Sequence, residues 1–182
     1  MLDRDGFLKV ADFGFAKKLD AENRTWTLCG TPEHLAPEII QNKGHNSAAD
    51  WWTLGINMYE FLAGMPPFND DTPIGTYRLI IAGNFEFPEE FDPDAKDIIT
   101  KFLTADPTKR LGCLAGLGND VMAHPFFASI DFGELITKRI PPPFTPEVED
   151  DEDISNFEEP EERDDDIDVS DVVVGPDDFA NW

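Results

Sequence analysis

The most regular feature of the chain is a stretch from Trp51 to Ala63 that is apolar on nearly every side, interrupted mainly by Asn57 and Glu60. A helix that is apolar all round is one that is buried, so this stretch predicts the pillar of the fold. Ser47 stands where it can cap that helix, with Asp50 at the capping-box position. Gly64-Met65-Pro66-Pro67 ends it. Thr72-Pro73 predicts a second helix, with Thr as cap, Pro at the first position, and Ile74, Tyr77 and Ile81 on the inner face. A third helix is predicted from Asp94, with Ile98, Ile99, Phe102 and Leu103 on one side, and a short fourth over Val121 to Phe127. Ala36-Pro37-Glu38-Ile39-Ile40 reads as a short helix with Pro near its start. At the beginning of the chain, Asp3-Arg4-Asp5-Gly6 is a turn signal and Phe7-Leu8-Lys9-Val10 a short strand. The pattern therefore predicts a mainly α body with one short β-hairpin at its start. Residues 14–35 lack periodicity and read as a long loop, and loops of that length within compact domains are usually functional.

Charge divides the chain. The net formal charge is -24, and the segment from Glu147 to Trp182 holds 17 acidic residues and one basic residue, Arg163. The earlier part reads as globular. The later part, entered through the stiff Pro141-Pro142-Pro143, reads as an extended acidic C-terminal tail. So acidic a protein is not a nucleic-acid binder, because phosphate contacts need Lys and Arg; it suits basic partners. Two cysteines, Cys29 and Cys113, give no disulfide framework. They point to a reducing, intracellular setting: the cytoplasm, or the nucleus as well. No apolar run approaches a membrane span, and His45 and His124 lack ligand spacing with the cysteines.

Asp12-Phe13-Gly14 is a weak triplet alone, but it keeps ordered company. It follows the short strand, Ala36-Pro37-Glu38 comes after the long loop, and Arg110 stands later in Asp106-Pro107-Thr108-Lys109-Arg110-Leu111-Gly112. A DFG, an APE and a phosphosite between them form the ordered set of protein kinases. The stretch Arg24-Thr25-Trp26-Thr27-Leu28-Cys29-Gly30-Thr31-Pro32-Glu33 strongly resembles the activation and substrate-docking loops of AGC-group serine/threonine kinases, cAMP-dependent protein kinase above all. Lys43-Gly44-His45-Asn46, Asp50-Trp51-Trp52, Gly64-Met65-Pro66-Pro67-Phe68 and Ser155-Asn156-Phe157 extend the likeness over nearly the whole chain.

This resemblance implies roles. Asp12 would ligate the Mg²⁺ that bridges the phosphates of ATP. Thr27 resembles the activation phosphosite, with Lys17 and Arg24 as nearby cations and Thr25 adding a hydroxyl. Thr31 resembles the threonine that supports the catalytic base. Leu28, Pro32 and Leu35 resemble the apolar pocket for the residue after the phosphoacceptor. Glu33 and Glu60 resemble the carboxylates that meet substrate arginines, so the implied partner is a basic peptide or protein. Glu60 lies on an otherwise apolar helix, where a bare carboxylate is costly, and this predicts a charge partner or a cleft edge. Glu38 and Arg110 resemble a buried structural ion pair, and Asp50 the aspartate that holds the catalytic-loop backbone. Phe157 resembles the phenylalanine near the adenine, Ser170 the turn-motif phosphosite, and Phe179 and Trp182 the hydrophobic motif. By the same resemblance, residues 1–127 would be a partial kinase domain and 128–182 the AGC-type tail.

The likeness is not complete. His34 stands where tyrosine is usual, and Pro160 and Trp182 also depart from the pattern. The 182 residues contain no G-x-G-x-x-G, no V-A-I-K lysine and no H-R-D-x-x-x-x-N loop. Asp3-Arg4-Asp5 occupies a turn instead, and by resemblance the catalytic loop would end just before Met1. Two readings follow. In the first, the chain is part of an active kinase that transfers the γ-phosphate of ATP to Ser/Thr in basic peptides, and is inactive by itself. Alternatively, it is a non-catalytic module that captures basic substrates or regulatory subunits.

Overall fold

The computed structural model describes residues 1–19, 23–150 and 152–157, which group into two compact units. The larger runs from Val10 to Pro141 and is helical; the smaller joins Met1–Lys9 to the described residues from Pro142 onward.

In the larger unit a 3₁₀ turn, Pro32–His34, leads into α1 (Pro37–Ile40), α2 (Ala48–Ala63), α3 (Pro73–Ala82), α4 (Pro93–Phe102) and α5 (Gly118–Met122). A second 3₁₀ turn, Pro125–Phe127, and α6 (Phe132–Ile136) complete it. The core is built where α2 meets α4. Trp52, Ile56, Ile98, Ile99 and Phe102 are wholly buried there, so the predicted inner face of α4 is the observed one. Trp51 stacks on Phe102 with ring centroids 5.9 Å apart, and Trp52 stacks on Phe68 at 6.0 Å. Gly55 allows the close approach of α2 to α4, since a β-carbon there would lie 2.7 Å from Phe102 Cβ. Tyr59 extends this packing to Phe85, Phe87 and Phe91, and its hydroxyl donates to the Glu86 carbonyl at 2.7 Å.

The structure corrects several expectations. α2 is buried along one face only: Phe61 is 83% exposed and Leu62 53%. Apolar composition made α2 look buried all round, but Phe61 and Leu62, in its last turn, project into solvent. The cap of α2 is Asn46, whose Oδ1 accepts from Ala48 N at 3.0 Å. Ser47 makes no side-chain cap bond because it already has helical dihedrals, φ -56° and ψ -14°. On α3, Thr76 and Ile80 face inward while Ile74 and Ile81 are exposed. This helix is apolar on several sides, so spacing alone could not choose its inner face. Thr72 does cap it, accepting from Gly75 N at 3.1 Å. α4 starts earlier than Asp94, because Asp92 Oδ1 accepts from both Asp94 N and Ala95 N. The helix predicted over Val121 to Phe127 is split in two, since Pro125 cannot continue a hydrogen-bonded helix and instead opens a 3₁₀ turn capped by His124.

In the smaller unit Asp3 N donates to Phe7 O and Lys9 N to Met1 O, both at 2.8 Å. These bonds make a hairpin with one bridge, Leu2 to Leu8, rather than the continuous strand predicted over Phe7 to Val10. A two-stranded ribbon needs a face to bury, and Leu8 is 84% exposed.

Candidate functional site

The candidate site is the segment from Asp12 to Glu38 together with the face of α2 beneath it, all within the larger unit. Asp12 has φ +62°, a left-handed conformation that aspartate tolerates better than most side chains. Its Oδ1 accepts from Gly14 N at 3.2 Å, which fixes the carboxyl against its own turn. Backbone conformations of this kind persist where surrounding structure holds them and cluster at functional positions. Mg²⁺ takes one or two carboxylates and leaves its other positions to waters and phosphates, so a fixed, exposed aspartate suits that role. Among the described residues no group of three or more His, Cys, Asp or Glu could hold a metal alone.

Among the described residues beyond Asp12, the loop is tied down at a rung with the chain before α2. Thr25 pairs with His45 through two backbone bonds, Thr25 N to His45 O at 2.9 Å and His45 N to Thr25 O at 2.8 Å. Lys17 Nζ donates to Thr25 Oγ1 at 3.1 Å, and Arg24 Nη1 reaches the Lys43 carbonyl at 3.4 Å. The Trp26 indole lies on Gly44, where a β-carbon would come within 3.0 Å of Nε1. Burial pushes the His45 imidazole below its ordinary range, against the opposing pull of Glu38 and Asp50. Two residues past the rung, Thr27 is exposed and Leu28 is 58% exposed. The sequence thus brings Lys17 and Thr25 together, while Arg24 turns to the Lys43 carbonyl.

After Gly30 the chain turns inward. Thr31 is exposed, Pro32, Glu33 and His34 are half-buried, and Leu35 is 5% exposed beneath Gly30. Of the three apolar residues grouped by resemblance, only Leu28 projects into solvent; Pro32 and Leu35 line the inner side of the loop. His34 is fixed from below, because Thr53 Oγ1 on α2 donates to its carbonyl at 3.2 Å. Its ring reaches Glu60, with Nε2 3.4 Å from Oε2. The ionisable side chain that meets Glu60 is therefore His34, and the carboxylate also stands partly open to solvent. The sequence offered both residues but not their pairing, which depends on the 3₁₀ turn crossing α2.

The segment ends at its anchor. Arg110 grips Glu38 with two parallel bonds, Nη1 to Oε1 at 2.7 Å and Nη2 to Oε2 at 2.9 Å. Nη1 also donates to the Ala48 carbonyl at 2.7 Å and Nε to that of Thr104 at 3.0 Å. The guanidinium carbon sits 5.2 Å from the centroid of the Trp52 ring. Arg110 is completely buried and Glu38 nearly so, and a buried pair holds only when its remaining donors are met in this way. Asp50, on the first turn of α2, has its carboxyl raised by desolvation and opposed by His45. Burial pushes the Cys113 thiol up from its ordinary ionisation range, against the pull of Arg110, which disfavours the thiolate.

In the smaller unit, a concavity of about 520 Å³ is lined by Met1, Leu2, Phe144, Val148 and Phe157, with Arg4 among its polar residues. Its aromatic and aliphatic walls suit a flat apolar ring. Ser170, Phe179, Trp182 and Pro160 lie outside the described residues. Among the described residues no helix is long and apolar enough to cross a membrane.

A family model described as the protein kinase domain matches residues 1–127. The human cAMP-dependent protein kinase catalytic subunit PRKX is 52% identical over 164 residues, which cover 90% of this chain and 45% of that protein. The cAMP-dependent protein kinase catalytic subunit of Dictyostelium discoideum is 52% identical over 158 residues, 87% of this chain and 24% of the relative. The cGMP-dependent protein kinase egl-4 of Caenorhabditis briggsae is 41% identical over 186 residues, 100% of this chain and 24% of its own length. The chain spans less than half the length of these curated relatives.

Proposed function

The chain belongs to the protein kinase family, and from that premise we propose that it is part of a serine/threonine kinase that moves the ATP γ-phosphate to Ser/Thr in arginine-containing peptides. The observation that carries this reading is the segment from Asp12 to Glu38, held at one end by an aspartate in a left-handed turn and at the other by the buried Arg110 grip. Phosphoryl transfer needs little covalent help from a protein; it needs positioning and charge stabilisation. An anchored segment supplies the first, and a metal-binding carboxylate supports the second.

In this reading Asp12 would hold Mg²⁺, and the chemistry the ion would supply there is charge neutralisation at the phosphates of ATP. Thr27 is the activation phosphosite; its exposure leaves it open to modification, and a phosphate there would find Lys17 within the same loop. Phe157 and the concavity around it receive the adenine. Leu28, Pro32 and Leu35 select the residue after the phosphoacceptor, and Thr31 supports the base. Glu33 and Glu60 meet the arginines of the substrate. Residues 1–127 form the kinase-domain part and 128–182 the tail, with Ser170 as its phosphosite and Phe179 and Trp182 as its docking motif. The partners are basic protein substrates and regulatory subunits of cAMP-dependent type, and the place of action is the cytoplasm and nucleus.

The 182 residues alone do not complete the reaction, since they contain no Gly-rich phosphate loop, no phosphate-gripping lysine and no base loop. Purified chain incubated with Mg²⁺, labelled ATP and an arginine-rich serine peptide is expected to transfer no label above background. Robust transfer that disappears in Asp12→Ala would overturn this part of the proposal.

A further inference from the structure

His34 and Glu60 form an acid–imidazole pair at the place where the proposed reading puts a substrate cation. Three observations single it out. His34 Nε2 is shielded from solvent and has no hydrogen bond of good geometry, although Glu60 Oε2 lies only 3.4 Å away. The Thr53 hydroxyl on α2 shares its one proton between the His34 and Ala49 carbonyls, each at 3.2 Å, which ties the His34 backbone to the helix that carries Glu60. The Glu60 side chain remains 38% exposed, so a ligand cation can approach it from outside.

The surrounding ionisable groups do not take over this role. The 3₁₀ turn carries Glu33 beside His34, and α2 carries Asp50 and Tyr59 besides Glu60. The facing helix α3 carries Tyr77 and Arg78. Glu38 on α1 is committed to Arg110, and the Tyr59 hydroxyl to the Glu86 carbonyl. Among the described residues, the ion pairs that reach His34 or Glu60 are the one they make with each other.

We propose that His34 is a specificity-determining residue that makes the arginine-accepting capacity of Glu60 depend on pH. This rests on the reading of Glu60 as a guanidinium acceptor. An imidazole changes charge between about pH 5 and 8. When neutral, His34 leaves the Glu60 carboxylate with its full charge for an incoming arginine. When protonated, it is a cation already seated on that carboxylate, and a guanidinium must displace it or bind a neutralised pair. Affinity for arginine peptides therefore falls as the pH is lowered through the imidazole range. A tyrosine at the same place can donate a hydrogen bond but carries no positive charge, so it cannot impose this dependence.

The test is peptide binding by the 182-residue chain, followed by fluorescence anisotropy from pH 5.5 to 8. The probe is a labelled serine peptide with two arginines, blocked termini and no other ionisable group; a citrulline version is the control. Affinity at pH 8 is expected to exceed that at pH 5.5 by about two- to fivefold, the scale of one partly exposed charge pair. His34→Tyr should bind with a flat profile, and His34→Gln should do the same, which guards against a folding defect in either variant. Glu60→Gln should bind weakly at every pH, near the citrulline control. A wild-type profile that His34→Tyr and His34→Gln leave unchanged overturns the inference alone. No discrimination between the arginine and citrulline peptides at any pH, in a folded chain, overturns it together with the substrate reading beneath it.

Discussion

The Arg110 guanidinium is completely buried, yet nearly all its donor capacity is spent on Glu38 and two carbonyls. This decides how its loss is felt. Removing the cation leaves the Glu38 carboxylate stranded away from water, and such a stranded charge costs about 3–5 kcal/mol. Arg110→Met is therefore expected to lower the denaturation free energy by about that amount. Glu38→Leu combined with Arg110→Met is expected to cost less than Arg110→Met alone, because no buried charge remains. Chemical denaturation of the two variants checks the order; equal or greater loss in the double variant would show that the pair is not what holds the segment. At this scale the family resemblance was informative. It implied an ion pair between Glu38 and Arg110, 72 residues apart, and the two are bonded in the fold. The partner of Glu60 was less legible. A carboxylate on an apolar helix predicted a charge partner or a cleft edge, but only the crossing of the 3₁₀ turn over α2 brings His34 to it.

Helix existence was more legible than helix orientation. α4 has a polar face and an apolar one, so the burial of Ile98, Ile99 and Phe102 followed from spacing. α3 has apolar residues on several faces, and the choice of Thr76 and Ile80 as its inner residues is made by tertiary packing. α2 misled in the opposite way, since apolar composition on every side did not bring burial to Phe61 or Leu62. Caps show the same limit at single-residue resolution. Asn46 and Ser47 are both good capping residues, and only the dihedrals of Ser47 reveal that the cap is one residue earlier. Asn46→Ala is accordingly expected to destabilise the fold by about 1 kcal/mol, and Ser47→Ala by no more than a few tenths. Thermal melts of both variants decide the matter, and the reverse order would place the cap on Ser47.

The described residues divide into a helical unit and a smaller unit that joins the first residues to the described ones after Pro141. That division was not legible in the pattern, which placed the hairpin with the helical body. A hairpin of so few residues cannot bury a face by itself, so its allegiance is settled by contacts distant in sequence. The acidic composition of the last residues was legible, but composition carries no register. Family membership was legible from the order of Asp12-Phe13-Gly14, Ala36-Pro37-Glu38 and Arg110, and it rests now on the kinase-domain match over residues 1–127.

The central claim is that these residues supply a working metal carboxylate and substrate-docking segment to a kinase. It is tested most directly by placing them in the human relative PRKX, in exchange for the 164-residue region they match. The chimera should phosphorylate an arginine-containing serine peptide with Mg²⁺ and ATP, and Asp12→Ala within it should abolish transfer. A folded chimera that binds ATP but transfers nothing, or one whose transfer survives Asp12→Ala, would contradict the account.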